Sequence, residues 1–302
     1  LTAVFVTGAA GFVGGAVAAR LAAEGCTVFG GVRRPGAVPA GVTPVVTGDL
    51  AAGRLVLPAV DAVVHAAGLG HRRGVTPDIW ERENVAAAAS VAQAAQAAGA
   101  GRFIMISTAH VYGRVAAGVV SDESPLNPMD AYAASKLRGE AAAAAAFGPK
   151  FCAVRPVAVI GAGAPGNLNG LMRALQAGLP LPLAGLRNAR SFVAAADLAG
   201  LVALLVERGE GAVLAANPES ISTPELVRAL ADALGVRARL FAVPEALLAA
   251  AAKLAGRGAM VESLAGSFRA APQRALAAGW QPGGLADGLR ETARGFAARA
   301  RG

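Results

Sequence analysis

The first 155 residues alternate between short runs rich in Val, Ile, Phe and Thr and longer runs rich in alanine. That alternation leaves few folds open. The spacing predicts strands over Ala3–Thr7, Thr27–Val32, Pro44–Thr47, Ala62–His65, Phe103–Ser107 and Phe151–Arg155. It predicts helices over Gly11–Ala23, Pro77–Ala98 and Met129–Phe147. Strands separated by helices join through right-handed crossovers into a parallel sheet. The strand runs are apolar throughout instead of alternating, as strands covered on both faces should be. The expected fold class is therefore α/β, a doubly wound parallel sheet.

After Ile160 the texture changes. Gly161–Gly170 reads as a glycine- and proline-rich loop, followed by a helix over Leu171–Ala177 and by Leu179-Pro-Leu-Pro-Leu. Asp197–Val206 reads as a helix returning to the first domain. Thr223-Pro-Glu225 opens another helix, with Thr as N-cap and Pro in the first turn. The remainder reads as short helices ending at Arg301. The expected division is residues 1–160, rejoined by 191–206, and a smaller, mostly helical C-terminal substrate lobe over 161–302.

Composition excludes several classes. Two cysteines in 302 residues make no disulfide scaffold, and three histidines leave no cluster for a structural metal. Mean hydropathy is +0.50, and Leu1–Ala19 carries no charge. Yet that stretch is broken by glycines and lacks a basic start, and Arg155, Asp197, Glu245 and Lys253 interrupt the other apolar runs. The expectation is a soluble protein of a reducing cytoplasm, without membrane insertion. Net charge is +8. The arginines are scattered without interleaved aromatics, which argues against nucleic acid and suits an anionic small substrate.

Three motifs carry chemistry. Thr7-Gly8-Ala-Ala-Gly11-Phe-Val-Gly14 lies between the first strand and the first helix. There Gly8 permits a tight turn, Gly11 lets the backbone approach a pyrophosphate, and Gly14 lets the helix pack closely on the sheet. The helix N-terminus then offers free N–H groups and a positive dipole end to phosphates. Tyr132-Ala-Ala-Ser-Lys136 is the second motif. With two tyrosines and three lysines in the chain, a chance Tyr-x-x-x-Lys is expected only ~0.02 times. Four apart on a helix, the two share a face, so that Lys136 is expected to lower the Tyr132 pKa and make the phenol a proton donor or acceptor. The third is Ile106-Ser107-Thr108-Ala-His110-Val-Tyr112-Gly113, at the carboxyl end of the fifth strand, where open α/β sheets bind ligands.

In order and spacing these motifs resemble the extended short-chain dehydrogenase/reductases, the nucleotide-sugar epimerase, dehydratase and ketoreductase group. Gly48-Asp49-Leu50, His65-Ala-Ala-Gly68, Asn84-Val85, Arg155-Pro156, Gly166-Asn167 and Arg190-Ser-Phe-Val-x-x-x-Asp197-Leu198 extend the resemblance over nearly the whole chain. It implies a Rossmann-like fold and an NAD(P)-dependent enzyme. It makes Tyr132 the acid/base, Lys136 the residue that binds the nicotinamide ribose and tunes Tyr132, and Thr108 the hydroxyl on the substrate oxygen. It places Gly8, Gly11, Phe12, Val13, Gly14, Asp49, Leu50, Ala66, Ala67, Gly68, Asn84, Ser107, Pro156 and Val159 around the cofactor. Asn167 and Arg190 would hold the diphosphate end of a nucleotide sugar, Arg190 through bidentate contacts. His110 lines the substrate pocket or is a polar filler. His65 reads as structural, and His71-Arg-Arg73 as a solvated loop. The resemblance also implies a homodimer through a four-helix bundle formed by Pro77–Ala98 and Met129–Phe147.

Two departures from the family pattern bear on function. The second strand ends Val32-Arg33-Arg34, where NAD binders usually carry an acid for the ribose 2′-hydroxyl. Arg33 and Arg34 instead suit a 2′-phosphate, so NADP(H) is favoured slightly over NAD(H). The 4,6-dehydratases of the family carry an acidic pair after the Thr, and Ala109 and His110 stand there instead, so elimination lacks its acid and base. The expected activity is hydride transfer at C4 of a nucleotide-diphosphate sugar, with a 4-ketoreductase ahead of a UDP-sugar 4-epimerase. A reductase of a non-sugar ketone and a non-catalytic NAD(P)-binding protein are the further alternatives.

Overall fold

The computed structural model describes every residue except 1, 71–73, 117, 245, 249, 251–263 and 300–302. His71, Arg72, Arg73, Glu245, Lys253 and Arg301 thus lie outside the described residues. Seven parallel strands form the central sheet: β1 (Ala3–Thr7), β2 (Thr27–Val32), β3 (Val42–Val46), β4 (Ala62–His65), β5 (Arg102–Ile106), β7 (Phe151–Pro156) and β10 (Gly211–Ala215). Their order is β10-β7-β5-β4-β1-β2-β3. The chain starts in the middle, builds outward through β2 and β3, then returns to lay β4 on the other side of β1. The order therefore reverses between β1 and β4, whose last residues Thr7 and His65 are in register. Such a reversal opens a crevice at the carboxyl ends of the strands.

Alternation along β1 divides the core. Val4 and Val6 pack with Val17 and Leu21 of α1 (Phe12–Ala23) and with Leu198, Leu201 and Val202 of α6 (Ala195–Arg208). Phe5 points to the opposite face, with Val63, Val91, Phe103, Met105 and Phe147. Phe103 is fully buried between the rings of Phe147 and Phe151, and burying such a ring contributes about 1.5–3 kcal/mol.

The second face is covered by two long helices. One runs through α2 (Pro77–Trp80), a π-helical segment (Glu81–Ala86) and α3 (Ala87–Ala97). The other is α4 (Ala131–Phe147), capped by the Asp130 carboxylate on Ala133 N at 2.8 Å. They touch at Gly139, where a β-carbon would stand 2.4 Å from Asn84 O. The single helix expected over Pro77–Ala98 is thus interrupted by a wide turn at Asn84. A π turn inserts one residue into the ladder and re-aims the side chains after it.

A second core holds Ile160, Met172, Leu175, Phe192, Leu226, Leu230, Leu289 and Phe296. It gathers α5 (Asn167–Gln176), α7 (Thr223–Leu234) and α9 (Leu285–Arg299) around a three-stranded sheet of β8 (Ala158–Ile160), β9 (Arg190–Ala194) and β11 (Ser220–Ile221). A two-stranded ladder pairs β6 (Val119–Val120) with β12 (Arg269–Ala270), and the short helix α8 (Gln273–Ala277) follows it.

Several sequence expectations shift here. Helix α5 begins at Asn167 instead of Leu171, because Gly166, with φ +107°, supplies the turn into it. The N-cap of α7 is Ser222 instead of Thr223: Ser222 and Glu225 form a reciprocal capping box, and Pro224 occupies the first turn. Strand β10 and the three-stranded sheet were not expected at all. The final helix, α9, is 15 residues long where short helices were expected.

Candidate active site

The glycine turn sits at the crevice. Gly8 has φ +69°, and a β-carbon on it would fall 2.9 Å from Ala67 N, so β1 and the turn after β4 close on each other across it. A β-carbon on Gly14 would meet Gly8 O at 2.2 Å, which is how closely α1 lies on the loop. Gly11 stands at the N-cap of α1, where no side chain caps the helix and no acidic residue occupies the first turn. The N–H groups of Phe12 and Val13 therefore head a helix whose positive end is left to a ligand.

Thr7 ties the crevice together. Its Oγ1 accepts from Ala66 N and Ala67 N, each at 3.1 Å, and lies 2.9 Å from His65 Nδ1. With two backbone donors on the oxygen, the hydroxyl hydrogen goes to Nδ1, which fixes a neutral ring protonated at Nε2. Burial, reinforced by the Lys136 charge, pushes His65 down to about 3. His65 is a structural hinge pin between β1 and β4.

Beyond the loop, at the end of β2, four charges interlock. Arg33 Nη2 donates to Glu83 Oε2 at 2.7 Å, Arg82 Nη1 to Glu83 Oε1 at 3.2 Å, and Arg82 Nη2 to Asp49. Asp49 also accepts from Ala51 N at 3.0 Å, shaping the turn at Leu50. Arg33, expected to wait for a 2′-phosphate, is thus committed to Glu83. Arg34 beside it is exposed and has no hydrogen bond or ion pair among the described residues.

Toward Tyr132 and Lys136, Asn84 is buried and spends its amide on structure. Its Oδ1 accepts from Leu69 N at 2.8 Å, and Nδ2 donates to Leu69 O at 3.2 Å and Ser135 Oγ at 2.9 Å. Ser135 in turn donates to Tyr132 O at 2.8 Å. Asn84 therefore braces Gly68 and α4. Lys136 is buried, and its Nζ donates to Ile106 O at 2.7 Å. A β-carbon on Gly68 would come within 3.8 Å of that Nζ. Burial pulls Lys136 down to about 8, opposed by the nearby Glu140 carboxylate.

Tyr132 is partly buried. Its ring lies between Trp80, 5.7 Å away, and His110, edge-on at 6.1 Å, and its hydroxyl bonds the Thr108 side chain. Thr108 meanwhile caps the short helix Ala109–Tyr112 through His110 N at 3.2 Å. Burial raises the Tyr132 pKa, Thr108 counters it, and Asp130 adds to it. The expectation that Lys136 lowers this pKa is corrected here. The two residues share a helix face, but the lysine turns to Ile106 O while the phenol turns to Thr108.

Behind them lies a network that sequence reasoning missed. The Glu140 carboxylate accepts Arg155 Nε at 3.1 and 3.2 Å and Nη2 at 2.6 Å, and it also takes the Ser107 hydroxyl. Arg155 Nη1 donates to Tyr112 Oη at 2.8 Å. Ser107, expected at the cofactor, gives its hydroxyl to this network. The signal for Glu140 was its place four residues after Lys136 on α4. Trp80, Ser135 and Glu83 were missed as well, since each acts through a contact distant in sequence.

The substrate candidates lie on the second core. Asn167 is exposed at the first residue of α5. Arg190 is partly buried on β9 and donates to Gly266 O at 3.1 Å; burial and the nearby Arg114 charge lower its pKa. No hydrogen bond or ion pair joins either residue to the Tyr132 cluster among the described residues. Pro156 ends β7, and Val159 pairs with Val193 in the small sheet.

A nicotinamide dinucleotide fits these residues. The buried Lys136 ammonium spends one of its three N–H donors on Ile106 O, the head of α1 lacks a side-chain cap, and Gly68 keeps the space before Lys136 clear. Fold and glycine turn together define a Rossmann-type dinucleotide enzyme.

Comparison with known proteins agrees. The model of the NAD dependent epimerase/dehydratase family matches residues 4–215, and the chain belongs to that family. A UDP-glucose 4-epimerase of Vibrio cholerae is 29% identical over 249 residues, 78% of this chain and 76% of the relative. The structure of MoeE5 in complex with UDP-glucuronic acid and NAD is 26% identical, covering 98% of this chain and 99% of that one with a TM-score of 0.78. The NAD+ complex of the Bordetella bronchiseptica enzyme WbmH shares the fold, at 24% identity, 98% and 99% coverage and a TM-score of 0.77. Among the described residues no helix is long and apolar enough to cross a membrane.

Proposed function

We propose that this protein transfers hydride at C4 of a nucleotide-diphosphate sugar, and that the net reaction is 4-epimerisation. The observation that carries the reading is the Tyr132 hydroxyl, bonded to Thr108 at the end of β5, with the buried Lys136 ammonium one helical turn on. A bound nicotinamide supplies the hydride acceptor and donor. Tyr132 moves the proton at the sugar oxygen. For epimerisation the ionised Tyr132 phenol would take the C4 hydroxyl proton in the oxidative half and return it to the C4 carbonyl oxygen in the reductive half, where the protonated form favoured by burial is the donor. Thr108 aims the phenol and shares the sugar oxygen. Lys136 directs its remaining N–H groups to the nicotinamide ribose. The family relationship and the similarity to the Vibrio cholerae 4-epimerase support a sugar substrate.

We assign Arg190 and Asn167, on residues 161–302, to the diphosphate. Arg190 is a partly buried cation whose one acceptor among the described residues is a backbone carbonyl, which leaves guanidinium donors for an anion. Asp49, Leu50 and the turn after β4 are assigned to the adenosine side. A homodimer through the α3 and α4 faces and a cytoplasmic location, where the free thiols of Cys26 and Cys152 stay reduced, complete the reading.

A 4-ketoreductase is the second reading. It is favoured by the missing acid after Val32, which suits an exchanging cofactor and NADP(H). The two part in one experiment. The purified enzyme is given UDP-glucose, UDP-glucuronic acid and UDP-N-acetylglucosamine without added cofactor, and the products are read by NMR. A C4 epimer that disappears in Tyr132→Phe supports the epimerase. No epimer, with stoichiometric oxidation of added NAD(P)H on a UDP-4-keto sugar, replaces it with the reductase. Activity on a non-sugar ketone that survives Arg190→Ala removes the sugar from the proposal.

A further inference from the structure

Residue 83 stands where a dinucleotide enzyme decides between its two cofactors. In this fold the end of β2 faces the adenine ribose, and an acid there binds the 2′-hydroxyl. The end of β2 is near the glycine turn, since Ala9 N bonds Gly31 O at 3.3 Å. Its own next residues are Arg33 and Arg34, so no carboxylate follows in sequence. One arrives through space. The π-helical segment Glu81–Ala86 delivers the Glu83 carboxylate to Arg33 Nη2 at 2.7 Å.

Glu83 is the held end of that pair. Its side chain is 18% exposed against 65% for Arg33. Its neighbour Asn84 is buried and fastened to both backbone groups of Leu69, so the carboxylate's origin is rigid. Its second oxygen takes Arg82, which also pairs with Asp49. Two guanidiniums and two carboxylates thus pair in one network, with the Arg34 guanidinium exposed beside it.

We propose that Glu83, carried by the π turn instead of β2, is the specificity-determining carboxylate of the adenine-ribose site and selects NAD(H) against NADP(H). This rests on the reading that the glycine turn holds a nicotinamide dinucleotide. A ribose diol can donate to a carboxylate already placed at the end of β2. A 2′-phosphate brings about two negative charges against the Glu83 and Asp49 carboxylates, and must displace Glu83 to reach Arg33.

The test titrates NAD+ and NADP+ into the nucleotide-stripped enzyme by calorimetry and identifies by mass spectrometry the nucleotide released from freshly purified protein. The wild type is expected to release NAD and to bind NAD+ at least tenfold more tightly than NADP+. Glu83→Gln, which frees Arg33, is expected to narrow or reverse that ratio by tenfold or more at an unchanged Tm. Adding Arg33→Met is expected to remove the gained NADP+ affinity. A wild type that prefers NADP+, or a ratio that moves less than twofold in Glu83→Gln, overturns the assignment of Glu83. NADP+ binding that depends on Arg34 in the wild type overturns it too, because the unpaired arginine would then be setting the choice. A folded wild type that binds neither cofactor fails one step earlier, at the glycine turn.

Discussion

Replacing Arg155 by methionine tests the buried network behind Tyr132 and Lys136. The guanidinium on β7 and the Glu140 carboxylate on α4 are 7% and 5% exposed, and three hydrogen bonds join them. Arg155 also lies over the Tyr112 ring, 5.1 Å from its centre. The Glu140 contacts hold the Arg155 pKa above its ordinary range despite burial. Methionine fills much of the aliphatic stem but leaves Glu140 with the Ser107 hydroxyl and the more distant Lys136. Stranding one charge of a buried pair costs about 3–5 kcal/mol. Removing both, as Arg155→Met with Glu140→Leu, takes away the stranded charge, so the double variant is expected to be less destabilised than Arg155→Met alone. Urea unfolding followed by circular dichroism measures all three, with the double-mutant cycle giving the coupling. At about 2–4 °C per kcal/mol for large domains, Arg155→Met should lower Tm by roughly 10 °C. A loss under about 1 kcal/mol, or a double variant equal to the sum of the singles, would refute the network as a coupled unit.

Further outcomes follow from other contacts. His65 stays neutral in the fold down to about 3, whereas the unfolded chain protonates it near 6.5. The unfolded state therefore binds the extra proton between those values, and stability falls as pH drops through that window, by about 5 kcal/mol in all. Acid titration of stability should show that slope, and His65→Asn should flatten it. Lys136 keeps its charge below about 8. Affinity for NAD+ should weaken as pH rises through that value, and Lys136→Met should bind weakly at every pH, as calorimetry would show. Gly14→Ala drives a β-carbon into Gly8 O and should cost about 1–3 kcal/mol together with NAD+ affinity. Gly170→Ala, inside α5 with nothing within 4 Å, should instead stabilise by about 0.5–1 kcal/mol. Thermal melts of the two variants should move in opposite directions. Tyr132→Phe should lower turnover by about 10²–10⁴ while leaving Tm unchanged.

The sheet was legible wherever its strands were apolar and flanked by helices. Six of its seven strands follow from periodicity, and the glycine turn with Tyr132 and Lys136 follows from spacing. Strand β10 escaped because Gly-Ala-Val-Leu-Ala carries no β-branched pattern apart from Val213. The small sheet escaped because β8 and β11 are three and two residues long, below what alternation can show. Helical spacing placed Tyr132 above Lys136 but could not tell where their tips go. The Tyr132 hydroxyl goes to Thr108, with Trp80 and His110 against its ring, and the Lys136 ammonium goes to Ile106 O. The pairing of Arg33 with Glu83 was hidden for a similar reason. It joins residues 50 apart through a helical turn whose extra residue leaves no mark in composition.

The place of β10 in the sheet has a consequence for any attempt to divide this chain. Strand β7 pairs with β5 on one side and with β10 on the other, Ala153 opposite Ala212. Residues 157–210, which supply β8, α5, β9 and α6, intervene between the two partners. A fragment ending near residue 160 would keep the glycine turn, Tyr132 and Lys136 and still lose its outermost strand. It would also lose α6 and with it the buried cover of Leu198, Leu201 and Val202 over β1. Strand β7 would then present an unpaired edge, apolar from Phe151 to Val154, the kind of ribbon on which a second chain docks and polymerises. Such a fragment should enter inclusion bodies instead of solution.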